Sequence, residues 1–256
     1  PTVINNFFDQ MEEIIALYKI KPWNFYNMDE KPFIIGFGGR YIICHKRGLL
    51  RATQTTAGGH ESVTVLEAGS ASGVFLPPLI LLSGAKGTIG RFRHIADNDT
   101  LLPGARVNFT PNGYITRENF SFYIEEHFHP LSLKMMRDPD EHRLIVLDGH
   151  DSHLTFRTMQ FCYDHKIHVM CFPSHSTHLL QPMDVGVFSP LANFYKQQVL
   201  QWSRTSMRQK MRVCDFFPLL HQAREKACTE KNLCSAFAAT GLVPLDRERV
   251  LRKLPI

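Results

Sequence analysis

Three aspartates stand at the boundaries of apolar segments of this chain, and their positions constrain its fold more than any other feature. Asp29 follows residues 23–28, which have the pattern of a strand. Asp148 follows a continuous apolar run, typical of a strand that is buried on both faces. Asp184 comes just after Pro182, a residue that favours the first turn of a helix. The pattern predicts that two strands and one helix bring three carboxylates to one rim of a sheet.

The segments around these aspartates alternate between strand and helix patterns. Apolar residues recur with helical spacing over residues 3–19, and short apolar runs at 33–35, 41–43, 62–66 and 74–82, separated by glycines, predict strands in antiparallel hairpins. Further along the chain the pattern predicts a helix from Thr116, a strand over 144–147, a helix over 155–165, a strand over 167–172, and helices over 182–202 and from 216 onward. This order indicates an α/β protein with a mixed sheet flanked by helices and a helical C-terminal extension.

Carboxylates that meet at one rim from distant parts of the sequence form the donor set that hard divalent cations prefer. Two such cations activate a water or hydroxyl group and stabilise the leaving oxygen in an in-line displacement at phosphorus. Each aspartate alone has an ordinary structural interpretation, because aspartate is common in turns and at helix starts. Considered as a set, Asp29, Asp148 and Asp184 favour a metal site that acts on phosphodiesters.

The residues that flank the three aspartates resemble a known family. They are YNMDE at 26–30, LDGH at 147–150 followed by His153, and HLLQPMDVGVF at 178–188. These segments resemble the three motifs of the DDE superfamily endonucleases, and among them the pogo/Tigger branch of the Tc/mariner DNA transposases, from which centromere protein B derives. Residues 236–245 resemble the trailing segment of that family.

The resemblance implies a ribonuclease-H-like catalytic core that cuts and joins DNA with two Mg²⁺ or Mn²⁺ ions. It implies that Asp29 is the ligand shared by both ions, and that Asp148 and Asp184 each complete one of the two sites. In such a mechanism no side chain acts as a nucleophile. The third ligand is an aspartate rather than a glutamate, which fits the pogo branch.

Three further residues near the motifs are candidates for a supporting role. Glu30 is adjacent to Asp29, so on a strand it would point to the opposite face, where it would orient a neighbouring basic group. His153 would support the metal ligands or contact a phosphate. The alternative is that it is a packing residue. His178, in the loop before the third motif, would hydrogen-bond a ligand carboxylate or a DNA phosphate, or brace the loop.

Two stretches without acidic residues carry the candidate contacts to a DNA backbone. Such stretches attract phosphates electrostatically and with little dependence on sequence, and the alternative for either one alone is a solvated helix face or hairpin. The formal net charge of +5 is mild, so the distribution of charge matters more than its sum. The candidates are Arg40, Lys46, Arg47, Arg51, Lys196, Arg204, Arg208, Lys210 and Arg212.

Composition indicates a globular protein without a membrane partner. The chain has 256 residues, 44% of them apolar, and no apolar run of about 18 residues that would span a bilayer. Its six cysteines form no paired CxxC pattern, which favours reduced thiols in a nuclear or cytosolic protein. The start of the chain lacks methionine, and we interpret the chain as a fragment. The expected organisation is an N-terminal helix over 1–20 that leads in from a DNA-binding region, a catalytic core over 21–204 and a helical extension over 205–256.

The first functional hypothesis is the catalytic domain of a pogo/Tigger-like transposase that acts in the nucleus. Its partner would be double-stranded DNA, both transposon ends and target, and cutting two ends implies at least a homodimer on DNA. The alternative is a domesticated, catalytically silent DNA-binding or chromatin protein, whose signature is the loss of an acidic ligand. All three aspartates are present, which favours the enzyme. A third possibility, a repair nuclease, is disfavoured by the LQPMD string at 180–184.

Overall fold

The computed structural model describes residues 2–36, 62–84, 102–149, 154–206 and 211–254. Six strands form one mixed sheet in the order β4-β3-β2-β1-β5-β6. β1 pairs antiparallel with β2, and β2 with β3, whereas β1, β5 and β6 are parallel neighbours and β3 is parallel to β4. The strands are β1 (Phe25–Ile34), β2 (Ser62–Ser70), β3 (Leu79–Ser83), β4 (Arg106–Thr110), β5 (Arg143–Asp148) and β6 (Ile167–Phe172). An antiparallel hairpin pair that continues into parallel strands beside its first strand is the ribonuclease-H-like arrangement.

Helices cover both faces of the sheet. They are α1 (Thr2–Tyr18), α2 (Arg117–Phe122), which continues through a π-helical segment (Tyr123–Phe128) into α3 (His129–Leu133), α4 (Phe156–Asp164), α5 (Thr177–Leu180), a π-helical turn (Met183–Val187) that leads into α6 (Phe188–Thr205), α7 (Val213–Ala227), α8 (Glu230–Ala239) and α9 (Glu248–Leu251). A short 3₁₀ turn, Pro22–Asn24, precedes β1. Within the described ranges, no helix is both long and apolar enough to cross a membrane.

Threonine caps fix the starts of three of these helices. Thr116, Thr155 and Thr229 each have extended backbone, and each side-chain oxygen accepts a hydrogen bond from the backbone N–H three residues further on. Such a cap satisfies one of the donors that a helix start leaves unpaired and stabilises the helix by about 1 kcal/mol. The sequence therefore specifies where α2, α4 and α8 begin.

An apolar layer lies on each face of the sheet. The first face carries Phe25 and Phe33 of β1 and is covered by α1, α6, α7 and α8. The second face carries Tyr26 and Met28 and is covered by α2, the π-helical segment after it, and α4. Alternation along the strand separates the two sets of side chains. The C-terminal part of the chain is helical, as predicted, and its helices α7 and α8 pack into the same apolar core as the sheet.

Several predicted elements agree closely with the structure. The strand over 167–172 is β6, and the helix over 155–165 is α4 with its threonine cap. The apolar face predicted for the helix after Thr116 is buried at Phe120 and Tyr123. The helix predicted from residue 182 is present, but its first five residues are π-helical and it extends to Thr205.

The prediction for the first strand was wrong in its bounds. β1 begins at Phe25 and continues to Ile34, so Asp29 lies in the middle of the strand and not at its end. The short strand expected at 33–35 is the end of β1. The cause is β2, which pairs with β1 from Tyr26 as far as Ile34. Pairing with a distant strand therefore extended β1 beyond its apolar run.

Two other strand predictions differ from the structure. The strand expected over 74–82 is reduced to β3, because Pro77 and Pro78 cannot donate hydrogen bonds to a neighbouring strand. β4 was not predicted, since its five residues carry only a weak strand pattern. The strand expected at 41–43 lies outside the described residues.

Candidate active site

Asp29 and Asp148 lie side by side because β1 and β5 are parallel neighbours. The last residues paired between these strands are Asn27 and Val146, and each aspartate lies two residues beyond that pair. Because side chains alternate along a strand, both carboxylates project from the first face, the face of Phe25. Asp148 ends β5, whereas β1 continues beside β2 alone. The register between two strands therefore brings the first two aspartates together.

Asp184 reaches the same rim from the π-helical turn. It is the second residue of the turn, after Pro182, and its side chain is exposed. Gln181 is buried, and its Nε2 donates a hydrogen bond of 3.5 Å to Asp184 Oδ2. The same amide also hydrogen-bonds the Asp29 carboxylate. One amide therefore links the first aspartate to the third.

Gly186 lets this turn approach α8 closely. A Cβ atom at this position would lie 2.6 Å from Cβ and 3.2 Å from Cα of Ala236. Neither atom can move without shifting the helix, so an alanine at 186 would push the turn away from α8. The glycine of the third motif is thus explained by packing that holds the Asp184 turn in place.

Asn27 connects the three elements that carry the aspartates. Its side chain is fully buried, its Nδ2 donates to Val146 O of β5 at 3.0 Å, and its Oδ1 accepts from the backbone N–H of Met183 at 2.9 Å. The amide nitrogen therefore bonds β5, and the amide oxygen bonds the π-helical turn. Asn27 itself belongs to β1, two residues before Asp29, so it fixes the relative positions of all three elements.

Burial and mutual repulsion raise the pKa of two carboxylates at this rim. Burial, followed by the charge of Asp184, raises the pKa of Asp29 to about 8, against a hydrogen bond of 2.7 Å from the backbone N–H of Glu30. Burial also raises the pKa of Asp184, which the charge of Lys31 lowers and that of Asp148 raises. A bound cation would provide the missing positive charge.

The donor set fits a hard divalent cation. Carboxylate oxygens from three aspartates are available, together with Gln181 Oε1, a buried oxygen that has no hydrogen-bond partner among the described residues. Oxygen donors of this kind suit Mg²⁺ and Mn²⁺. In the part of the chain that the structure describes, no three His, Cys, Asp or Glu side chains are already grouped closely enough to hold a metal. The backbone thus brings the aspartates to one rim without closing a ligand group.

A family model described as DDE superfamily endonuclease matches residues 60–237, which is more than half of the chain. The chain belongs to the DDE superfamily endonucleases. The matched residues include Asp148 and Asp184, and Asp29 lies ahead of them.

One curated relative is the MFS-type transporter clz9 of Cochliobolus lunatus. It is 28% identical over 244 residues, which are 94% of this chain and 25% of the relative. The chain thus spans a quarter of the length of that protein, and the transporter name refers to the whole of it.

Among solved structures the chain is similar to those of Mos1 transposase. The paired-end complex with left transposon end is 13% identical with a TM-score of 0.46, covering 92% of this chain and 62% of that one. The paired-end complex with Mn is 14% identical with a TM-score of 0.46, covering 90% and 61%. The catalytic domain with Raltegravir and Mg is 11% identical with a TM-score of 0.44, covering 92% and 94%. The fold assignment itself rests on the strand order and pairing described above.

Of the three residues expected from sequence to support the aspartates, the structure describes two. Glu30 accepts a hydrogen bond from the backbone of Ile115, and burial raises the pKa of Glu30 to about 7. The charge of Glu30 also raises the pKa of Asp29. His178 is exposed and belongs to the short helix α5, not to a loop as expected. His153 lies outside the described residues. The roles assigned to these three residues remain predictions.

The basic candidates for DNA contact are only partly described. Lys196 and Arg204 are exposed on α6, and Arg212 is exposed at the start of α7. Lys196 also lines a groove of about 270 Å³ between α6 and the end of β1. The remaining candidates, Arg40, Lys46, Arg47, Arg51, Arg208 and Lys210, lie outside the described residues.

Sequence reasoning missed Asn27, Lys31 and Gln181. Each lies in one of the three motifs or directly beside one. The sequence therefore identified the segments but not the contacts that these residues make. Strand alternation alone would have placed Lys31 on the same face as Asp29, since the two are separated by two positions. The hydrogen bonds of Asn27 and Gln181 join elements that are far apart in sequence, so no local pattern reveals them.

Replacing Asn27 by leucine, which has a similar volume, is expected to destabilise the protein markedly. Val146 O and Met183 N–H would lose their partner in a buried site, at a cost of about 1–3 kcal/mol for each group. Urea denaturation measures this loss. Asn193→Leu, on the exposed side of α6, is the matched control and should change stability little. Equal stability of the two variants would contradict the role given to Asn27.

Proposed function

We propose that this chain is the catalytic domain of a pogo/Tigger-like DNA transposase, which cleaves DNA and transfers the cut strand. The observation that carries the proposal is the arrangement of Asp29, Asp148 and Asp184 at one rim, on two strands in register and one helical turn. Membership of the DDE superfamily endonucleases supports it. The trailing segment and the LQPMD string support the pogo/Tigger branch.

The three aspartates would hold two Mg²⁺ or Mn²⁺ ions, with Asp29 shared between them. Bound ions of this kind activate an attacking water or DNA hydroxyl and stabilise the leaving oxygen. The chain's own contribution is to orient the ligands. Gln181 holds the Asp184 carboxylate beside Asp29, and Asn27 keeps β5 and the π-helical turn at fixed positions relative to β1. This preorganisation avoids rearrangement of the site when DNA binds.

The proposed partner is double-stranded DNA, and the proposed compartment is the nucleus. Exposed cations on α6 and at the start of α7 support a DNA partner, because their attraction to phosphates needs no base contacts. Cleavage of two transposon ends in one reaction requires at least two copies of this domain on DNA. Recognition of particular ends would come from sequence-specific modules outside this chain.

The test is nicking of supercoiled plasmid in Mg²⁺ or Mn²⁺, with wild type beside Asp148→Asn. Nicking that requires the metal, stops with EDTA and falls by at least about 100-fold in the variant would support the two-metal site. Circular dichroism of both proteins controls for folding. A folded wild type that binds Mn²⁺ but nicks no faster than Asp148→Asn would contradict the proposal and favour a domesticated, catalytically silent protein.

A further inference from the structure

Lys31 is a cation at the rim that no expectation from sequence included. It lies two residues beyond Asp29 on the same face of β1, and its Nζ is 5.4 Å from the centre of the Phe188 ring at the start of α6. Phe188 is almost completely buried, so its ring is held in place beneath the ammonium group. The charge of Lys31 also acts on Asp184, one turn before Phe188. Lys31 therefore lies between the strand of the first aspartate and the turn of the third.

The ammonium group of Lys31 packs on an aromatic ring and keeps its hydrogen-bond donors available to other groups. Within the described ranges, no carboxylate lies within 4 Å of its Nζ to form an ion pair. A cation over the face of an aromatic ring is held by the electrons of the ring and still keeps its hydrogen-bond donors for other partners. Its side chain is partly exposed, so an incoming anion can reach it.

We propose that Lys31 is a catalytic residue that contacts an anionic, non-bridging oxygen of the DNA phosphate under attack. The proposal rests on the nuclease function proposed above. With the aspartates occupied by metal ions, the ammonium group is a nearby donor, among the described residues, that can neutralise charge that builds on the phosphate in the transition state. Lys31 takes part in no proton transfer and no covalent bond, and it acts through a fixed positive charge.

A purely structural role predicts a different outcome. If Lys31 only offsets the charge of Asp184, its removal would change the affinity for metal ions and the stability of the metal-free protein. The cleavage rate would then be normal once metal and DNA are saturating. If Lys31 contacts the phosphate, its removal lowers that rate even at saturation, because the interaction is strongest in the transition state.

The experiment measures the cleavage rate at saturating plasmid DNA and Mn²⁺ for wild type, Lys31→Met and Lys31→Arg. Removing one donor to developing charge typically lowers kcat by about 10²–10³-fold. We expect a loss of this size for Lys31→Met and a smaller loss for Lys31→Arg, which keeps the charge. Lys134→Met, exposed at the end of α3, makes the same change of net charge away from the rim and should keep the wild-type rate.

The outcomes separate the two proposals. A wild-type rate for Lys31→Met at saturation, with normal cleavage by wild type, would overturn the role of Lys31 and leave the nuclease function intact. A wild type that cleaves no faster than Asp148→Asn would overturn both. Mn²⁺ affinity, measured by electron paramagnetic resonance, is expected to be unchanged or tighter in Lys31→Met. A changed Mn²⁺ affinity as the sole defect, with a wild-type rate at saturation, would show that Lys31 serves the metal site alone.

Discussion

Asp29→Asn is expected to abolish metal-dependent DNA cleavage and at the same time to stabilise the metal-free protein. The lost activity follows from the proposed role of Asp29 as the ligand shared by both ions. Removing a ligand shared by two metals should lower the cleavage rate on the order of 10³-fold or more. The gain in stability follows from its burial beside Asp184, which an amide tolerates better than a carboxylate.

The contribution of Asp29 to the free energy of unfolding is expected to depend on pH. The pKa of Asp29 is raised from its ordinary value of 3.8 to about 8 in the folded protein. The folded state therefore holds a proton that the unfolded chain has released. This contribution to stability is fully present below pH 4 and is lost as the pH rises toward 8. Without metal, wild type should lose stability over that range by a few kcal/mol, and Asp29→Asn by less.

Thermal denaturation in EDTA and in Mg²⁺, at several pH values, tests both parts of this prediction. Mg²⁺ should raise the melting temperature of wild type, most of all near pH 8, and should have little effect on Asp29→Asn. Asp164→Asn, exposed at the end of α4, is the matched control and should behave as wild type. A variant that is less stable than wild type at pH 8 in EDTA would show that Asp29 is not a source of charge repulsion.

Arg224→Ala is expected to cause the largest loss of stability. Glu67 of β2 is completely buried and pairs directly with Asp29 in the β1–β2 register. Arg224 of α7 binds it with two hydrogen bonds, Nε to Oε1 at 2.7 Å and Nη2 to Oε2 at 2.9 Å. Removing the guanidinium leaves a carboxylate buried without its partner, which costs about 3–5 kcal/mol. The domain should be partly unfolded at physiological temperature.

The double variant Glu67→Met/Arg224→Met separates the pair from the packing of its members. Two apolar side chains of similar length leave no buried charge, so most of the lost stability should return. Urea denaturation of the single and double variants measures the coupling between the two residues. Losses that simply add would show that the ion pair does not act as a unit.

The local structure around the second aspartate was predictable because its signals are local. The apolar run before Asp148, the cap at Thr155 and the apolar pattern over 167–172 each determine one element without help from the rest of the chain. The three aspartates were identified from the motifs at 26–30, 147–150 and 178–188. The structure supports their convergence at one rim, although their roles as metal ligands remain a prediction.

Features that depend on distant partners were not predictable in this way. β1 is longer than its apolar run because β2 pairs with it, and β4 is a strand because β3 lies beside it. The links from Asn27 to Met183 and from Arg224 to Glu67 span 156 and 157 residues of sequence. Hydrogen bonds of this kind exist only after the chain has folded, so no pattern within a short window contains them.

The sequence by itself determined which residues are the candidates for the proposed chemistry and most of the local elements that hold them. Side-chain type, strand alternation and helix caps act over a few residues, so they can be recognised in the unfolded chain. Only the tertiary structure decided how these residues meet. The register of β1 with β5, the close contact of Gly186 with α8 and the place of Lys31 over Phe188 result from packing between distant segments. Packing selects one arrangement among the many that the same local pattern allows.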